Sequence, residues 1–157
     1  MAQFLLLGLY PALLCAAIGT DIARRIIPNL LVLALLAGFA LLAVMMPLAD
    51  LHLRLMAAGG VTAVGFVLFS HDLVGAGDAK FAGALTLWVD PALVPVFIIG
   101  CSLIGALLTL AATLHAKGMT LPPLAFMARA GRTVPYGVGL AAAGLLLHPW
   151  SSLMIAG

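Results

Sequence analysis

The chain has 157 residues, 65% hydrophobic and only 8% charged, with a formal net charge of +2 and a mean hydropathy of +1.28. Soluble domains carry roughly 45–50% apolar and about 25% charged residues, so this composition excludes a soluble enzyme and a disordered tail. It predicts an all-α, polytopic membrane bundle in a single membrane-embedded domain, 1–157, which at 16.1 kDa leaves no room for an appended soluble domain.

Six apolar segments are expected, at about 3–20, 28–46, 53–70, 79–90, 92–115 and 134–156. The first lacks a basic stretch before its apolar run, so it is expected to be a retained span and not a cleaved signal peptide. Pro28 and Pro135 open the second and sixth, where a missing N–H costs nothing. In the third, Ala57, Gly59 and Gly60 are small residues that would let helices approach closely, as would the Gly100–Gly105 stretch, Gly137, Gly139 and Gly144 later on. The fourth is short: about twelve residues rise only ~18 Å, against a ~30 Å hydrocarbon core. Residues 116–133 form the longest connection, where Leu124, Phe126 and Met127 are expected to rest on the membrane surface or to gate substrate, with Arg129 and Arg132 among headgroups.

If alternate loops share a side, Arg24, Arg25, Lys80, Lys117, Arg129 and Arg132 lie on one side and only Arg54 on the other. The excess predicts that the first side is cytoplasmic and that both termini are outside. Asp21, Asp72 and Asp78 then share the cytoplasmic face.

No His/acid zinc motif is present, and Ser70, Ser102, Ser151 and Ser152 lack a nucleophilic-serine setting. Cys15 and Cys101 are far apart and are expected to be packing residues, and the four histidines lie near segment ends, as interfacial or capping residues do. Carboxylate chemistry remains. All five acids are Asp, and two of them, Asp21 and Asp78, stand 57 positions apart at the same expected membrane face. Brought together, two such groups share a proton: one activates water while the other polarises an amide carbonyl, with no metal or cofactor. Gly75 and Gly77 would shape the turn before Asp78, through positive φ or through close approach of another chain. A helix N-terminus would make Asp78 the ionised partner. The same residues also fit a plain N-cap at Asp78 and a solvated helix end at Asp21, balanced by Arg24 and Arg25.

The segment Asp21-Ile-Ala-Arg-Arg-Ile-Ile-Pro28-Asn29 resembles the first catalytic motif of the type IV prepilin peptidase family, and Gly75-Ala-Gly77-Asp78-Ala-Lys80 resembles its second, GxGDxK. Order and segment number agree, as does Pro135-Tyr136-Gly137 at the start of the last segment. The resemblance implies a GxGD-type aspartic endopeptidase of the bacterial inner membrane, with Asp21 and Asp78 as the catalytic pair. Gly75, Gly77, Lys80, Pro28 and Asn29 would shape the site, and Lys80 would hold Asp78 ionised or meet the substrate backbone. It also implies a prepilin substrate with a basic leader and an apolar helix, cut on the cytoplasmic side, and membrane lipid but no nucleic acid as partner. The compact chain resembles the short members of tight-adherence (Flp) pilus systems, so leader removal without N-methylation is expected. Alternatives are a protease for other single-span proteins and a small proton- or cation-coupled transporter component.

Overall fold

The structure is a computed structural model that describes residues 2–116 and 136–153. Six helices of eleven or more residues, and no strands, occur among the described residues: α1 Tyr10–Arg24, α2 Asn29–Met45, α3 Leu51–Ser70, α4 Ala76–Thr86, α5 Val94–Ala116 and α6 Tyr136–Leu147. A helical turn, Ala2–Phe4, and a π-helical stretch, Leu5–Leu9, run directly into α1. Pro11 explains the π stretch. Its ring crowds the carbonyl one turn back and it has no N–H, so the helix widens and Tyr10 N–H bonds to Leu5 O, five residues away.

Among the described residues, three helices are long and apolar enough to cross a membrane, Leu5–Arg24, Leu51–Ser70 and Pro91–Leu114, and Asn29–Met45 is a shorter apolar helix. Their outward faces carry Leu7, Leu30, Val44, Met56 and Leu103, which are between 60% and 85% exposed and form a surface that lipid can cover. The fourth helix is short, as its length in sequence requires, and it starts at Ala76 instead of 79. The last segment departs from expectation. Its helix has 12 residues and gives way at His148–Trp150 to a 3₁₀ turn, because Pro149 cannot donate the next helical hydrogen bond. The proposed surface segment from Lys117 to Thr133, and Pro135, lie outside the described residues.

At 11 residues, α4 rises only ~16 Å, too little to cross a bilayer, and it is the most enclosed element. It packs along α3 through small residues: a Cβ on Gly65 would stand 2.9 Å from Ala79 Cβ, and one on Gly83 would stand 1.9 Å from Thr62 Oγ1. Gly59 and Gly60, expected to serve such contacts, instead face open space with no atom within 4 Å. Beyond α4, Trp88 stacks on Tyr10 at 4.9 Å, meets Phe39 edge-on at 5.8 Å and donates its Nε1–H to Leu35 O at 3.2 Å. His148 is buried here, with its Nε2 2.7 Å from Leu6 O, and is not the interfacial residue its position suggests.

A polar clamp closes this end of the bundle. The fully buried Arg54 side chain pairs with Asp90 and, at 2.9 Å, with Asp50, and donates to Leu87 O and Val89 O at 3.2 Å and to Ser152 Oγ at 3.1 Å. Asp90 in turn accepts from the Ser152 amide and hydroxyl, both at 2.7 Å. Burial alone would raise the Asp90 carboxyl, but the Ser152 donors and Arg54 outweigh it and hold it below its ordinary range.

Candidate active site

Asp21 sits in the last turn of α1, and Arg25 closes that helix in the left-handed region (φ 55°), with its N–H donated to Asp21 O at 3.0 Å. This turn sends Ile26 and Ile27 across the end of the bundle before Pro28, in extended conformation, starts α2. Asp72 is the other non-glycine residue with positive φ (57°) among the described residues, in the turn between α3 and α4. Arg25 and Asp72 both line one cavity of about 820 Å³, together with Asp21, Gly75, Gly77 and Asp78. Strained turns on both sides thus converge on the two motif acids.

Asp21 is buried, only 5% exposed, and is not a solvated helix end. Its Oδ2 accepts the backbone N–H of Val138 at 3.0 Å, in the first turn of α6. Gly137 makes this possible, since a Cβ there would stand 2.8 Å from Asp21 Oδ2 and 2.7 Å from Ile27 Cδ1. Asp78 is the third residue of α4, after Gly75 as the N-cap residue. Its carboxyl folds back over Gly75, where a Cβ would stand 2.9 Å from Oδ2, and takes the Gly75 backbone hydrogen bond. Gly75 has φ −70°, so it supplies space and not a left-handed turn. Gly77 lies against Ile27 O, 3.8 Å from its notional Cβ.

The electrostatics of Asp78 differ from the helix-dipole expectation. Burial, and then the charge of Asp21, raise its pKa from 3.8 to about 6 against the opposing Gly75 hydrogen bond. Asp78 is therefore a group that keeps its proton well above the ordinary carboxylate range, because desolvation exceeds the few tenths to ~1 kcal/mol a helix N-terminus contributes. Two carboxyls that sense each other across one cavity can divide acid and base roles between them.

The structure brings Asp21, Asp78, Gly75 and Gly77 together, but not Lys80 and Asn29. Lys80 follows Asp78 by two residues, a rotation of about 200° around the helix, and such neighbours do not face each other. No ion pair joins it to Asp78 or Asp21, and with Asn29 it lines a separate groove of about 590 Å³. Pro28 stands between the two spaces as the N-cap of α2. Sequence alone gives Val138 and Asp72 no role in the site, and marks Gly137 only as a small residue and as part of Pro135-Tyr136-Gly137. The signal for Val138 is its place directly after that motif, and for Asp72 its place on the same expected face as Asp21 and Asp78. Among the described residues, no group of three or more His, Cys or acidic side chains is arranged to hold a metal ion.

A third space, about 420 Å³ and mainly apolar, lies between α3, α4, α5 and α6. It shares Val74, Asp78 and Tyr136 with the acid cavity and runs along Gly60, Val64, Ile98 and Ser102.

Residues 8–110 match the family model described as the type IV leader peptidase family. The matched stretch contains both acids and every residue lining the acid cavity except Tyr136. Neither a curated protein nor a solved structure matches the chain.

Proposed function

The chain belongs to the type IV leader peptidase family and is a membrane peptidase, and on that premise we propose that it removes the basic leader from Flp-like type IV prepilins. The observation that carries this function is the convergence of Asp21 and Asp78, distant in sequence, on one cavity.

In the proposed reaction, the carboxylate of the pair takes a proton from a water held between the two acids. The resulting hydroxide attacks the scissile carbonyl while the carboxylic acid hydrogen-bonds to its oxygen and donates its proton. The tetrahedral intermediate collapses as the proton taken from water passes to the leaving amine, so the chain needs no metal and forms no covalent intermediate. Asp78, which keeps a proton up to about pH 6, is assigned as the acid, and Asp21, oriented by Val138 N–H, as the base. The apolar space that shares Asp78 with the cavity suits the substrate's hydrophobic helix, and its continuity with the acids would put the start of that helix beside them. Asp72, exposed at the cavity, offers a negative charge to the basic leader.

A cytoplasmic location for the site, with both termini outside, is supported by the six-to-one bias of basic residues in alternating loops. The grouping of Asp21, Arg25, Asp72 and Asp78 at one cavity, away from the Arg54–Asp90–Ser152 clamp, agrees with it. The test is incubation of the purified protein with a prepilin, followed by mass measurement of the products. Two fragments that part at the junction of basic leader and apolar helix are expected. An intact substrate, or cuts elsewhere, would refute the proposed substrate.

A further inference from the structure

The groove lined by Lys80 and Asn29 is separate from the cavity of the two acids. It lies between α2, α3 and α4, and its geometry repeats on each. Asn29 and Lys80 begin it, close to the starts of α2 and α4 and near the acid cavity; Leu36 lies seven residues further along α2, and Leu87, seven residues after Lys80, caps the end of α4. On the antiparallel α3, the wall runs back seven residues from Thr62 to Leu55. Seven residues are about two turns, or ~10 Å. The space is therefore a trough roughly that long, with its cation and amide at one end and leucines at the other.

Its floor is built by glycine. Gly83 admits Thr62 against α4, where any Cβ would collide with the Thr62 hydroxyl, and that hydroxyl is already donated to Ala58 O at 2.7 Å. Gly59 leaves the trough open, because α3 has no side chain there and, among the described residues, no atom of another element lies within 4 Å of a notional Cβ. Among the described residues that line it, Lys80 is the one that carries a charge, and none is an acid. A point cation at the headgroup end of an apolar trough complements one kind of molecule, an anion that carries a hydrocarbon chain. We propose that this groove binds an anionic phospholipid, its phosphate on Lys80 and Asn29 and one acyl chain along Gly59 towards Leu55 and Leu87.

The test uses native mass spectrometry of the detergent-purified full chain with equal amounts of phosphatidylglycerol and phosphatidylcholine. Wild type should retain one phosphatidylglycerol in preference to phosphatidylcholine. Lys80→Gln should weaken that binding about fivefold, since a lysine near an anionic headgroup contributes roughly 1 kcal/mol. Gly59→Phe should fill the trough and lose the lipid, whereas Gly60→Phe, which faces the other apolar space, should retain it and report that a phenylalanine in this stretch of α3 is tolerated. Equal retention of the two lipids by wild type, or retention of phosphatidylglycerol by Gly59→Phe, would overturn the proposal. So would inorganic phosphate alone raising the melting temperature as much as phosphatidylglycerol, or a photo-crosslinker at position 59 capturing a prepilin helix in place of lipid. Because binding and not cleavage is read, failure here is distinct from failure of the peptidase assignment.

Discussion

Val138 donates its backbone N–H to Asp21 Oδ2 at 3.0 Å, which joins α6 to α1 across 117 positions of sequence. The bond depends on the absence of a side chain at Gly137. Gly137→Ala would set a methyl group 2.8 Å from Asp21 Oδ2 and force the carboxyl to move. Since a displacement of ~1 Å can cost about 10²-fold in rate, a loss of kcat of that order is expected. Gly100→Ala, whose methyl would meet Ala143 Cβ at an ordinary 3.6 Å, should change kcat by less than about twofold. Steady-state cleavage by the two variants makes the comparison.

In the proposed mechanism, Asp78 links catalysis to stability. Its folded pKa is raised, to about 6 from 3.8, so the folded state binds more protons than the unfolded state between those values. Stability therefore falls as pH rises through that window and levels off above it. Asp78→Asn should melt at a higher temperature than wild type above pH 6, and the difference should vanish below 3.8. The same titration predicts that kcat/KM declines above about pH 6 as the dyad loses its shared proton. Thermal melts and rate profiles over pH check both statements.

The clamp at the other end should act on stability alone. Asp90→Asn leaves the buried Arg54 with a weakened set of partners, and breaking a buried ion pair costs about 3–5 kcal/mol. A melting temperature lower by several degrees, with kcat of the folded enzyme unchanged, is expected. A matching loss of kcat would show that the clamp reaches the acids.

Substrate recognition should separate from chemistry. Gly60→Phe meets no atom within 4 Å of its Cβ and fills the apolar space beside Asp78, so KM for a prepilin should rise about tenfold with little change in kcat. Asp72→Asn should raise KM for substrates with a basic leader and have no effect when the leader's basic residues are replaced by glutamine. Kinetics on the two substrates read both effects.

Both acids, Gly75 and Gly77 were legible in sequence because their motifs are local, and α4 was legible as short because apolar length translates directly into rise. What sequence could not supply was orientation. Lys80 looked like a partner for Asp78, yet helical rotation turns it into a separate groove. Gly59 and Gly60 looked like packing glycines, but a glycine stripe has the same spelling whether it faces a helix or a void, and the tight contacts fall at Gly65 and Gly83. Arg54 counted only as the lone basic residue of its side. Its place within an apolar run was the signal that it needed a buried partner, but Asp90, 36 positions on, is identified only by the fold. Asp21 needed Val138 in the same way, since a backbone donor leaves no trace in residue type.

The most direct measurement is leader cleavage by purified Asp21→Asn, Asp78→Asn and the double variant, each shown to be folded. Each single change should lower the rate by about 10²–10⁴-fold, and the double should be no worse than either alone, because two groups that act as a unit are lost together. Substantial cleavage by either single variant, or losses that multiply in the double, would contradict a shared two-carboxyl site.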